Sequence, residues 1–353
     1  MVMNVVKWLA LVLIMLLSAC SKSQNSEFAT AFITYKALFI DHGRVVDSGN
    51  ENVSHSEGQG YGMLFSVAAD DKATFDNLWT WTKSTLQKES GLFSWRYRPC
   101  PSQDRTCIDD VNNASDGELL IAWALLRGAK KWHQTSYQDE ARIIIQAVEK
   151  RLLVADENHT FLLPGEYGFN DGSSENSLDN LQLNLSYWVF PALLEMARYS
   201  QHPERWQSLF DSGVVLMAKA QFTAHRLPPD WLRYQQSEVT LNKVILPVYG
   251  FNAVRIPLHI VWAGEAISQT ERRQLLAPFR LWWEQADTPA TLNLITEERA
   301  TYPMTAGMRA VTEAVRCLTE EHVPTWPKMD RNMDYYSASL TMLSMLAVAD
   351  RKS

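Results

Sequence analysis

The sequence predicts a single all-α domain. Three observations carry that prediction. Apolar residues recur at three- and four-residue spacing through most of the chain, strand-like alternation is scarce, and no proline-rich linker or composition break appears after residue 28. The chain has 353 residues, 46% of them hydrophobic, which is ample for a large core. In order, residues 29–41 place Phe32, Tyr35, Leu38 and Phe39 at helical spacing, and 60–86 read as a helix, a break near Asp70 and a second helix. "DGELLIAWALLRGAKKW" (116–132) is a strong helix, followed by another at 136–153. Further helices are expected at 185–200, 204–219, 252–264, 271–283, 304–318 and 334–349. The stretches between, among them 162–180 and 224–250, read as irregular and polar. Helices arriving in pairs bury one face each if they stack or close into a ring. Periodicity alone does not choose a closed ring over an open solenoid.

The N-terminus reads as a targeting segment. Lys7 precedes "WLALVLIMLLSAC", an apolar run too short for a membrane span and typical of a signal peptide. "LLSAC" resembles a bacterial lipoprotein signal with Cys20 as the lipidated residue; an ordinary signal peptide is the alternative. Either way export is expected, to the periplasm with a lipid anchor or as a secreted protein. Residues 1–20 are then signal, 21–28 a polar tether and 29–353 a single catalytic domain. Of the remaining cysteines, Cys100 and Cys107 flank "PSQDRT" and are spaced to staple that loop in an oxidising compartment, leaving Cys317 unpaired and buried.

A formal net charge of −7 and the lack of a basic block argue against nucleic acid as a partner. Thirteen tryptophans, twelve tyrosines and thirteen phenylalanines leave two readings open: core filling, or stacking platforms for flat ligands such as sugar rings. The eight histidines form no compact cluster, so no metal is expected, and nothing calls for an organic cofactor.

Two segments carry candidate chemistry. In "SHSEGQGYGM" (54–63), Ser56 and Gln59 have capping-box spacing, which would place Glu57 at the first helical position. Ser115 and Glu118 repeat the spacing and would place Asp116 likewise. Gly58, Gly60 and Gly62 each cost a helix about 1 kcal/mol against alanine. Their use would be to let a ligand or a neighbouring helix approach the backbone. Acids are common in first turns for electrostatic reasons alone, so the spacing does not by itself make either carboxyl catalytic. A helix end also lowers a carboxyl pKa, whereas a general acid needs it raised, so neighbours such as Tyr61, Trp95 and Asp116 would have to act against the helix. "GQGYGM" lacks phosphate-loop spacing, and no nucleophile elbow is present.

Taken together these segments resemble glycoside hydrolase family 8. "SEGQGYGM" (56–63) resembles the segment carrying that family's general acid, with Glu57 as proton donor. "ASDGELLIAWALLRGAKKW" (114–132) resembles its signature helix, in which Asp116 would hydrogen-bond the central sugar and help distort it; the family often has aspartate where Glu118 stands. "LNLSYW" (183–188), "LPPDWLRY" (227–234) and "YGFNAVRIPLHIVWAG" (249–264) also have counterparts, with Tyr187 beside the cleavage point. The resemblance spans about residues 29–349. It implies an (α/α)6 barrel with a cleft across the helix N-termini, and inverting hydrolysis of β-1,4-linked glycans. Its overall length and order look closest to exported cellulases associated with bacterial cellulose synthesis. The expected activity is thus endo-β-1,4-glucanase. The alternatives are a hydrolase of chitosan, mixed-linkage glucan or xylan, or a non-catalytic glycan-binding relative.

Trp95, in a loop, is the better candidate for a sugar platform; Trp132 and Trp188 are as readily core. One departure matters. Many cellulases of the family carry a catalytic-base aspartate in "YDAxR", but this chain reads "FNAVR" with Asn252 at that position. An amide does not accept a proton as a carboxylate does. Either the base comes from elsewhere, or the chain only binds glycan, or the residue has been changed to inactivate an enzyme. Asp171, Glu175, Asp179, Asp230 and Glu238 are the candidate replacements, Asp230 being the most structural in context, and Asp116 itself could activate water through Asn252. Arg255, one turn after Asn252, lies on the same face and suits a carboxylate or a substrate hydroxyl.

Overall fold

The computed structural model describes residues 26–101, 107–171, 178 and 180–352. The signal, Cys20 and most of the tether lie outside the described residues. Eleven α-helices are present among those described: α1 (26–39), α2 (Ser56–Ala68), α3 (Lys72–Thr85), α4 (Ser115–Trp132), α5 (Thr135–Arg151), α6 (Phe190–Tyr199), α7 (Pro203–Lys219), α8 (Ile256–Trp262), α9 (Gln269–Trp283), α10 (Ala306–Thr319) and α11 (Tyr335–Lys352). No helix among them is long and apolar enough to cross a membrane.

Their burial sorts them. In α2, α4 and α8 nearly every residue of the first three turns, or of the whole helix, is buried, small and polar ones included, so these helices are surrounded. In α3, α5, α7 and α9 the buried residues form one stripe, so these helices sheath the others. Packing runs from α2 to α4, from α4 to α6, from α6 to α8, from α8 to both α10 and α11, and from α11 back to α2. The circuit closes, and the result is the (α/α)6 plan rather than an open solenoid.

The glycines of α2 serve this ring. A Cβ on Gly60 would lie 2.5 Å from Leu120 Cβ, and one on Gly117 would lie 2.2 Å from Ser56 Oγ. α2 and α4 therefore approach backbone to backbone at both places, and the neighbouring helix, not a ligand, fills the space. Gly60→Ala is expected to cost about 1–3 kcal/mol by overpacking. A fall of several degrees in the thermal midpoint should show it, and an unchanged midpoint would remove the close approach as the reason for Gly60.

Neither expected capping box forms. His55 and Ala114, both extended, are the N-cap residues, so Glu57 and Asp116 stand at the second helical position. Ser56 Oγ and Ser115 Oγ have no hydrogen-bond partner among the described residues. The cause is tertiary. Gln59 is drawn instead to Val45 N (2.5 Å) and Thr82 Oγ1 (2.7 Å), and Glu118 to Phe93 N (2.9 Å). A capping box does form at α9, between Ser268 and Glu271.

The strands are short and lie in small antiparallel sheets. Two matter for the site. Ser54–His55 pairs with Arg96–Tyr97 just before α2 begins. Within 224–250, expected to be irregular, Leu232–Gln235 and Glu238–Leu241 form a hairpin that joins Leu181–Leu183 in a three-stranded sheet. Its two-residue turn uses Gln236 and Ser237, with φ of 50° and 65°, where Asn-Gly is the usual signal. Cys100 and Cys107 are disulfide-bonded with Cα atoms 5.4 Å apart, and Cys317 is a buried free thiol.

Candidate active site

Three local arrangements aim side chains at one end of the ring. In the first, the pairing of His55 with Arg96 is continued by Ser56 N donating to Trp95 O (2.9 Å). This sets where α2 starts, and it places Glu57 beside Trp95. In the second, Ser115 N donates to Pro164 O (2.9 Å) and starts α4, placing Asp116 next to α2. The third is a turn built on Asp230, whose Oδ1 accepts from the backbone N–H of Gly250 (3.1 Å), Asn252 (3.1 Å) and Ala253 (2.7 Å). That turn presents Asn252 and Arg255. Asp230 is therefore a structural group, as its context in the sequence suggests. Asp230→Ala leaves three donors without an acceptor and should cost about 2–4 kcal/mol together with activity. Unfolding and turnover measured on one preparation check this, and full stability with full activity would contradict it.

Arg255 is the hub. Only 6% exposed, it pairs through Nη1 with Glu57 Oε1 and donates from Nη1 to Tyr61 Oη (2.9 Å). Its Nη2 donates to Asn252 Oδ1 (2.8 Å) and Ser186 Oγ (3.1 Å). The same Nη1 lies 3.9 Å from Asp116 Oδ2. Tyr61 Oη also donates to Glu57 Oε1 (3.0 Å), whereas Glu57 Oε2 accepts no hydrogen bond among the described residues. Glu57 keeps about a quarter of its side chain exposed. Of the neighbours expected to act on Glu57, Tyr61 touches it, Asp116 meets it across Arg255, and Trp95 lines the same space.

Glu57, Trp95, Asp116, Tyr187, Asn252 and Arg255 all line one cavity of about 160 Å³, with His55, Ser56 and Ala114. That is below the roughly 300–1,000 Å³ of pockets that enclose a whole small molecule, and suits one ring of a longer ligand. Trp95 is fixed by Nε1 donating to Asp110 Oδ2 (2.8 Å), with the His55 ring parallel to it and the Arg96 guanidinium 4.5 Å from its centroid. Tyr187 stands edge-on to Trp231, which stacks on Phe169. Trp188 is fully buried, and Trp132 packs on Phe75 and bonds Asp70, so both are away from the cavity.

Burial governs the charges. It raises Asp116 to about 7, helped by the negative field of Glu118, and it raises Glu118 to about 7 as well. Asp230 is raised to about 6 by burial in spite of its three backbone donors. His55 is pushed down to about 4 by burial and by Arg96, so its ring is neutral at pH 7. Of the other candidate bases, Asp171, Asp230 and Glu238 do not line the cavity. Asp171 is an exposed partner of Arg233 (2.8 Å), and Glu238 is exposed on the hairpin. Glu175 and Asp179 lie outside the described residues. The sequence does not single out Ser186, or His55 as the backing of Trp95. Tyr61, which the sequence does name, is signalled by its four-residue spacing from Glu57 on one helix face.

Comparison with known proteins agrees with this fold. The family model described as glycosyl hydrolases family 8 matches residues 3–350. An endoglucanase of Cellulomonas uda is 37% identical over 310 residues, covering 86% of this chain and 82% of that protein. Among solved structures, a GH8 endo-β-1,4-glucanase from an Achatina fulica gut metagenomic library superposes with a TM-score of 0.81 at 38% identity, covering 91% of this chain and 98% of that one. The endo-β-1,4-glucanase CMCax from Acetobacter xylinum superposes with a TM-score of 0.82 at 34% identity, covering 92% and 99%. A closed α/α ring, two motif carboxyls meeting on one arginine, and likeness along nearly the whole length lead to one conclusion: the chain belongs to the glycosyl hydrolases of family 8.

Proposed function

We propose that the protein is an inverting endo-β-1,4-glucanase acting on cellulose-like chains. The observation that carries this reading is the meeting of Glu57 and Asp116 on Arg255 in a ring-sized cavity backed by Trp95. Glu57 protonates the bridging oxygen through Oε2, while Tyr61 and Arg255 hold Oε1 and set the direction of transfer. Ionised Asp116 accepts a hydrogen bond from a hydroxyl of the central ring and helps distort that ring. Trp95 and Tyr187 contact sugar faces.

Inversion needs a second carboxylate roughly 6.5–9.5 Å from the acid, with water between them. Asp116 is poorly placed for that role, because both carboxyls reach a single guanidinium nitrogen. Asn252 holds the water by its amide; the proton that the water loses on attack passes to bulk solvent, and this unassisted step limits turnover. The relatives named endoglucanase support the substrate class. The signal-like N-terminus supports export and lipid attachment at Cys20, and the likeness in length and motif order supports work alongside cellulose synthesis.

The test is digestion of carboxymethyl cellulose and cellohexaose. Viscosity should fall well before reducing ends accumulate, and proton NMR should show the α-anomer first. Preferential cleavage of chitosan, mixed-linkage glucan or xylan would replace the substrate. Asn252 favours one further reading, a glycan-binding relative without catalysis. That reading requires saccharide affinity by calorimetry with no product at any pH.

A further inference from the structure

The first turns of α4 hold a carboxyl that the mechanism above leaves unused. Glu118 is fully buried. Its Oε1 accepts from Phe93 N (2.9 Å) and its Oε2 from Asn113 Nδ2 (3.2 Å). These donors belong to two different loops. Phe93 stands two residues before Trp95, whose own N–H donates to Asn112 O (2.9 Å). Asn113 Oδ1 accepts from Glu166 N (2.7 Å), and so ties in a third loop, the one whose Pro164 O receives the first N–H of α4. Asp110, which holds the Trp95 indole, also accepts from Asn112 N (2.9 Å). One buried group thus knots together the loops that present Trp95, Ala114 and Asp116 to the cavity. An apolar residue here would leave Phe93 N and Asn113 Nδ2 without their acceptor, and a buried unpaired donor is costly.

We infer that Glu118 is a positioning residue for the reaction: by fastening the loops of Phe93 and Asn113 to α4 it sets the Trp95 face and Asp116 against Glu57. The inference rests on the glycosidase reading above. It has an electrostatic corollary, because Glu118 is the carboxyl two residues from Asp116. The groups facing Asp116 are Arg255 at 3.9 Å, Glu57 across that guanidinium, Tyr61 from α2, Tyr187, and His55 at the cavity wall. Lys88 faces Glu118, while its ammonium is bonded to Val111 O (3.2 Å) and Glu166 (3.3 Å). Burial holds the Asp116 carboxyl up first, and among these groups Glu118 adds to it as it ionises.

The test uses Glu118→Gln and Asn113→Ala in the full chain, with cellopentaose as substrate. Glutamine keeps the shape but offers one acceptor oxygen for two donors, and removes the charge. KM should rise about tenfold, and the acid limb of kcat/KM should move to lower pH, since Asp116 ionises more readily without a second acid titrating in the same range beside it. Asn113→Ala keeps the charge and cuts two ties, to Glu118 and to Glu166 N, so KM should rise while the acid limb stays. A folded Glu118→Gln with wild-type KM and an unmoved limb overturns the inference. So does an Asn113→Ala with wild-type KM if Glu118→Gln does not fold. A wild-type chain that cleaves no β-glycan counts instead against the glycosidase reading.

Discussion

Glu57→Gln should lower kcat on cellohexaose by roughly 10²–10⁴-fold, the range that one general acid supplies. The amide retains an oxygen to accept from Tyr61 and Arg255, so the side chain keeps its place and saccharide affinity by calorimetry stays within a few-fold of wild type. What is lost is the proton. The loss should therefore shrink for an aryl glycoside with an acidic phenol as leaving group, which departs without protonation. The two substrates measured side by side separate a missing acid from a distorted cleft, since distortion would slow both equally. Unchanged turnover on cellohexaose would remove Glu57 from the mechanism.

The second large effect has the opposite sign. Asn252→Asp should raise kcat by roughly 10²-fold, at the low end of what a positioned base contributes. Asn252 N is held by Asp230 and its Oδ1 by Arg255 Nη2, so aspartate can keep both contacts and turn its second oxygen to the cavity. The new base works only when ionised, so the gain should disappear as pH falls through its pKa. Arg255 beside it favours the ionised form. Steady-state rates between pH 4 and 8 on both proteins make the comparison. A kcat that stays level or drops would mean that water is already activated by another carboxylate. Glu175→Gln and Asp179→Asn would then be the next substitutions to measure.

Both experiments act on residues legible in the sequence. Glu57, Asp116, Tyr187, Asn252 and Arg255 stand in the motifs and Trp95 in a loop outside them, and all six line the same cavity. Two other expectations fail, each for its own physical reason. Ser56–Gln59 and Ser115–Glu118 have the spacing of capping boxes, but Gln59 and Glu118 bond residues far along the chain. The Gln236–Ser237 turn lacks the glycine that announces a tight hairpin, so its strands carry no local signal.

By itself the sequence determined where the helices run, because apolar spacing near 3.6 residues is a local property and dictates which face must be covered. It also determined which carboxyls lie in the first turns of the two motif helices, though each stands one position later than the capping-box spacing implied. Only the tertiary structure decided that the helices close into a ring, that Gly60 and Gly117 admit a neighbouring helix, and that Arg255 reaches a glutamate 198 positions away. Those outcomes depend on shape and burial between segments distant along the chain. No local pattern of residues encodes which partner will be left with the space, or which buried group will be left with the charge.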